Sequence, residues 1–64
     1  MTFKVGDTVR RKSGYAGEGA IGFIVSLERG SELTANVNVE GRIRGWFVSR
    51  IELVHAGDDF EMDA

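Results

Sequence analysis

Residues Leu33 to Glu40 alternate without a break: Leu33, Ala35, Val37 and Val39 are apolar, and Thr34, Asn36, Asn38 and Glu40 are polar. A side-chain period of two marks a strand with one buried face. The same period recurs in Ala20 to Glu28, where Ile21, Phe23, Val25 and Leu27 share a face. Thr8 to Lys12 reads as a first strand, Arg42 to Val48 as a fourth and Ile51 to Val54 as a short last one. In the fourth, Ile43, Gly45 and Phe47 fall on one side and Arg42, Arg44 and Trp46 on the other. Hydrophobicity assigns the first set to the core and leaves Trp46 outside between arginines. The expected core is Val9, Ile21, Phe23, Val25, Val37, Val39, Ile43, Phe47 and Leu53.

Punctuation between these runs is glycine-rich. The chain holds 9 glycines and no proline, which suits short strands joined by tight turns. Ser13 to Gly19 reads as a loop, Arg29 to Glu32 as a turn, Gly41 as a hairpin end and Ser49-Arg50 as a single 3₁₀ turn. Five short strands without a helix predict an all-β domain, a small closed or nearly closed barrel, because closure removes exposed edges.

At 64 residues the chain makes one domain with a marginal core, and such domains are usually reinforced by disulfides, metals or subunits. Cysteine is absent and His55 is the only histidine, which excludes disulfides and a thiolate or two-histidine metal site. Self-association is the remaining reinforcement, so a homo-oligomer is expected. No apolar run approaches a membrane span, and Thr2, Phe3 and Lys4 lead straight into strand pattern, so a cytoplasmic location is expected. Charge is uneven. Residues 1–55, the expected domain, carry 8 basic and 6 acidic side chains, and residues 56–64 add Asp58, Asp59, Glu61 and Asp63. That aperiodic acidic stretch reads as a disordered tail.

Candidate chemistry is sparse. Gly17 to Gly22 matches G-x-G-x-x-G, but a β-branched strand follows where a dinucleotide site needs a helix. Asp7 after Gly6 reads as a turn residue, and no nucleophile has a base beside it. The cations say more. Arg42, Arg44 and Trp46 share one face of a strand, and guanidinium groups beside an aromatic ring build phosphate and base-stacking sites. A subunit contact and a merely solvated surface are the other readings of this face.

The run Phe3-x-x-Gly6-Asp7-x-Val9-Arg10-x-Lys12-Ser13-Gly14-x-Ala16-x-x-Gly19-x-Ile21 resembles the first half of the type II, plasmid-borne, trimethoprim-insensitive dihydrofolate reductases. The similarity resumes from Gly41 to Val54, where Ile51-Glu52 matches the family's Leu-Glu; Phe23 to Glu40 matches in strand pattern only. The resemblance implies a five-stranded SH3-like barrel, assembled as a homotetramer around a pore in which folate and NADPH meet. It also implies catalysis mainly by positioning.

The family's catalytic tetrad, Val-Gln-Ile-Tyr, falls on Ile43-Arg44-Gly45-Trp46. Its pore lysine falls on Arg11, a serine before the tetrad on Arg42, and its interface tryptophan on Gly17. A glutamine amide donates and accepts, whereas a guanidinium only donates and stays charged. Four copies of Arg44 around one pore would repel each other unless an anion lay between them. The expectation is a non-catalytic, self-associating module with no cofactor. Its ligand or partner face is Arg11, Arg42, Arg44, Gly45 and Trp46, directed at an anionic small molecule or a protein. An NADPH-dependent reductase with an altered tetrad and a nucleic-acid-binding barrel are the alternatives, the latter disfavoured by the net charge of −2.

Overall fold

The structure is a computed structural model and describes residues 2–57. The acidic stretch from Asp58 onward lies outside the described residues. Five strands, β1 (Thr8–Arg11), β2 (Ile21–Arg29), β3 (Leu33–Val39), β4 (Arg42–Phe47) and β5 (Ile51–His55), form one antiparallel sheet in the order β4-β3-β2-β1-β5. The described residues contain no α-helix, and none of them forms a helix that could cross a membrane.

The sheet cannot be flat. Its edge strands β4 and β5 are joined only by a three-residue 3₁₀ turn, Val48–Arg50. Such a turn spans about 6 Å, whereas four interstrand spacings in a flat sheet come to about 19 Å. The sheet therefore curls, and its concave side collects one core. Val9, Ile24, Ala35, Val37, Trp46 and Ile51 are buried together, at least one from each strand. Each large apolar side chain removed from water in this way contributes about 1.5–3 kcal/mol.

This core departs from the sequence reading on two strands. On β2 the buried residue is Ile24, and Ile21, Phe23 and Val25 are exposed. The register against β3 shifts between Ile24, opposite Val37, and Ser26, opposite Asn36. One extra residue at that bulge places Ile24 and the half-buried Leu27 on the concave side three residues apart, so no strict period of two describes the strand. Gly22 shares the concave row with Ile24, and a Cβ there would run into the Asn38 carbonyl oxygen and Val37 Cγ1. Glycine is what permits β2 to bend this tightly over β3.

On β4 the sides are reversed. Trp46 lies opposite Ala35 and is buried, while Ile43 and Phe47 point outward and are exposed. The small Ala35 side chain leaves room for the indole. Leu53 is half-buried and Ile51 is the fully packed residue of β5, whereas Val9, Val37 and the half-buried Val39 lie on the expected side.

Asp7 plugs the start of the sheet. It is buried and accepts hydrogen bonds from the Lys4 backbone N–H (2.9 Å), the Lys4 ammonium (3.0 Å) and the Gly57 backbone N–H (2.7 Å). Burial raises its pKa, but the Gly57 and Lys4 backbone hydrogen bonds, with the Lys4 ammonium, more than reverse this and hold it below the ordinary carboxylate value. The turn-residue reading of Asp7 describes this carboxylate.

Candidate functional site

Strand alternation brings Arg11 to the concave side two residues after the buried Val9. From β4, Arg44 lies opposite the buried Val37, and Trp46 is one step further on the same side. These elements meet at a groove of about 620 Å³ whose walls include Arg11, Ala16, Gly17, Arg44, Gly45 and Trp46. Arg42 lies on the same side of β4, opposite Val39, but outside the groove walls. Four of the five residues singled out in the sequence thus share one groove, and Arg42 flanks it.

Arg11 is held from several directions. Its Nε donates to the Ala16 carbonyl at 3.1 Å, and its guanidinium lies 5.1 Å from the Trp46 ring centroid and 5.3 Å from that of Tyr15. Arg50 stands 5.0 Å from the Tyr15 centroid and 5.1 Å from that of Phe47. The order Trp46, Arg11, Tyr15, Arg50, Phe47 is a ladder of alternating aromatic and guanidinium groups, each step a cation–π contact. It starts inside the sheet at Trp46 and ends on the outer face at Phe47, tying the Ser13–Gly19 loop to β1, β4 and the 3₁₀ turn. Tyr15 and Arg50 were not singled out in the sequence; an aromatic residue in a glycine loop carries no periodic signal.

Gly17 borders the indole. Its φ of +84° suits glycine, and a Cβ built there would stand 4.0 Å from Trp46 Cζ2. Beside it the loop is closed by hydrogen bonds from Gly14 N–H to the Glu18 carboxylate (2.8 Å) and from Gly19 N–H to the Arg11 carbonyl (3.0 Å).

The groove is electropositive by composition. Among the described residues no carboxylate lines it, and neither Arg11 nor Arg44 makes an ion pair. Among the described residues, Arg11 Nη1 is the one buried side-chain polar atom without a hydrogen-bond partner. A second depression of about 400 Å³, lined by Arg10, Lys12, Glu18 and Glu52 among others, holds charges of both signs, and Arg10 is paired to Glu52 at 2.7 Å. That depression also holds Lys12 and shares Arg11, but two carboxylates stand beside them, whereas the first groove presents its cations with none among the described residues. His55 is exposed at the end of β5, opposite Thr8 and away from the groove. Comparison with known proteins finds no matching family model, no matching curated protein and no matching solved structure.

Proposed function

We propose that this chain is a small SH3-like barrel, related to the type II dihydrofolate reductases, that acts as a non-catalytic, self-associating binding module. Its Arg11/Arg44/Trp46 groove takes an anionic ligand or partner, with Arg42 at the margin. The observation that carries this reading is the groove itself: two guanidinium groups without carboxylate partners among the described residues, beside a tryptophan. A guanidinium fork suits carboxylate and phosphate oxygens, and the contact gains strength where neighbouring rings hold the fork in place.

Three observations support the remaining parts. The strand order and the short β4–β5 connection suit an SH3-like barrel. Ile21, Phe23, Val25, Ile43 and Phe47 leave a large apolar outer face, which suits self-association. Arg44, where the resemblance places the reductase glutamine, offers donors only, which argues against reduction of dihydrofolate.

Trp46, the only tryptophan, reports on the groove. Pyrophosphate should change its fluorescence saturably, Arg44→Gln should weaken that change, and rising salt should weaken it steeply. Light scattering should give a mass above that of one chain, and NADPH should support no turnover of dihydrofolate. A flat pyrophosphate titration defeats the anion-binding reading. Reductase turnover revives the altered-tetrad enzyme with NADPH as its cofactor.

A further inference from the structure

The hairpin joining β3 to β4 turns through two residues with positive φ, Glu40 (+53°) and Gly41 (+85°). This is the geometry of a type I′ turn, whose flanking residues exchange backbone hydrogen bonds. Val39 and Arg42 are therefore a bonded pair, and antiparallel alternation makes Val37/Arg44 and Ala35/Trp46 bonded pairs as well. The backbone groups of Arg42, Arg44 and Trp46 face β3. Those of Ile43, Gly45 and Phe47 face the other way, along the free edge of the sheet. β4 is terminal in the strand order, and among the described residues no backbone bond from another strand or from a loop reaches this edge; only the Phe47 carbonyl is taken up, by the 3₁₀ turn that follows.

The electropositive groove runs beside that edge. Ile43 and Gly45 line it, and at Gly45, which has no side chain, the groove meets the backbone itself. Its far wall is the loop segment Ala16-Gly17. Gly45, in the middle of the edge, has no side chain to hold an approaching backbone away.

We propose that this groove accepts an extended acidic peptide, which adds as a further strand along β4 and places its carboxylates against Arg11 and Arg44. The proposal rests on the anion-binding reading of the groove and specifies its partner. An exposed edge is a template for an incoming strand: main-chain hydrogen bonds give affinity and alternate side chains give specificity. The edge offers both N–H donors and C=O acceptors. A peptide matches both at the spacing of a strand, whereas a nucleic-acid backbone supplies phosphate acceptors and, in RNA alone, 2′-hydroxyl donors at a different spacing. Charge selects among peptides. A second copy's β4 would bring its own Arg42 and Arg44 into a groove that already holds two arginines, whereas glutamate or aspartate at alternate positions finds guanidinium groups that no carboxylate of the described residues pairs.

The test uses the full chain and three blocked heptapeptides: alternating valine and glutamate, the same sequence N-methylated on alternate amides along one side, and alternating valine and lysine. Trp46 fluorescence reads binding, and amide hydrogen exchange reads the edge. The glutamate peptide should bind. It should slow exchange at Ile43, Gly45 and Phe47 while Arg42, Arg44 and Trp46, already bonded to β3, change little. N-methylation and Arg44→Gln should each weaken binding about tenfold, and the lysine peptide should not bind. Equal binding of the methylated and unmethylated glutamate peptides overturns strand addition and leaves simple anion binding standing. So does binding of pyrophosphate without binding of the peptide. Failure of both probes removes the anion-binding reading as well. Edge amides already protected in the free protein, in a species of twice the chain mass, assign the edge to a second copy and overturn the proposal.

Discussion

Asp7 and Gly57, fifty positions apart in the chain, are joined by a 2.7 Å hydrogen bond from the Gly57 N–H to the Asp7 carboxylate. The contact is close on the backbone side too: a Cβ on Gly57 would stand 2.6 Å from the Gly6 carbonyl carbon. The ordered chain thus continues past His55 and locks onto the turn that precedes β1. A chain ending at His55 loses this donor and leaves a buried carboxylate short of one partner. It should be destabilised by about 1–3 kcal/mol, the usual cost of an unmet buried polar group. A chain ending at Asp59 keeps the donor and should melt with the full-length protein. Equal melting temperatures for all three chains would show that the clamp contributes nothing.

The same carboxylate makes stability depend on acid. Its pKa in the folded protein is lowered below the ordinary carboxylate value: burial opposes ionisation, but the Gly57 and Lys4 N–H groups and the Lys4 ammonium outweigh it. A depressed folded-state pKa contributes stability above the unfolded value that is lost as pH falls through the folded value. Urea midpoints should therefore hold above about pH 4 on this account and decline below it, with Asp7→Asn flattening the decline. A substitution that lowers stability by the same amount at pH 2 and pH 6 would show that Asp7 acts by shape and not by charge.

Side-chain truncation can decide which face of the sheet is the core. Ile24 is fully buried, and Ile24→Ala should cost about 2–5 kcal/mol. Phe47 is 36% exposed and packs on Arg50, so Phe47→Ala should cost roughly 1 kcal/mol. Chemical denaturation of the two variants gives the order directly. A larger loss at Phe47 would mean that β4 presents its other side to the core.

The strands and turns were legible in the sequence, and the inward faces of β2 and β4 were not. Clean alternation in β3 marks Ala35 and Val37 as core without help. β2 defeats the same argument because one bulge residue between Ile24 and Ser26 reverses the face partway along the strand. In β4, two arginines made the Trp46 side look solvated. The strand lies at the sheet edge beside a groove, so Arg44 reaches the opening while Trp46, two residues on, sits over Ala35. The grouping of Arg44 with Trp46 follows from alternation alone, whichever side is inward. Tyr15 and Arg50 meet only through folding, since neither spacing nor composition pairs a loop residue with a 3₁₀ turn.

The ladder from Trp46 to Phe47 has Tyr15 at its centre, and its chemistry predicts which changes matter. Cation–π contacts need the ring and not the hydroxyl, and the Tyr15 hydroxyl makes no hydrogen bond among the described residues. Tyr15→Phe should therefore leave stability and groove binding nearly unchanged. Tyr15→Leu keeps bulk but removes the π face from two guanidinium groups at once. It should cost about 0.5–2 kcal/mol and loosen the Arg11 Nε hydrogen bond to Ala16. Faster solvent exchange of the Arg11 Nε–H in nuclear magnetic resonance spectra would register that loosening. Arg11 would then meet an incoming anion from a less fixed position, and pyrophosphate binding should weaken alongside. If Tyr15→Leu matches Tyr15→Phe in melting temperature, Arg11 exchange and pyrophosphate affinity, the Tyr15 ring does not hold Arg11, and its position depends on Trp46 and the Ala16 carbonyl.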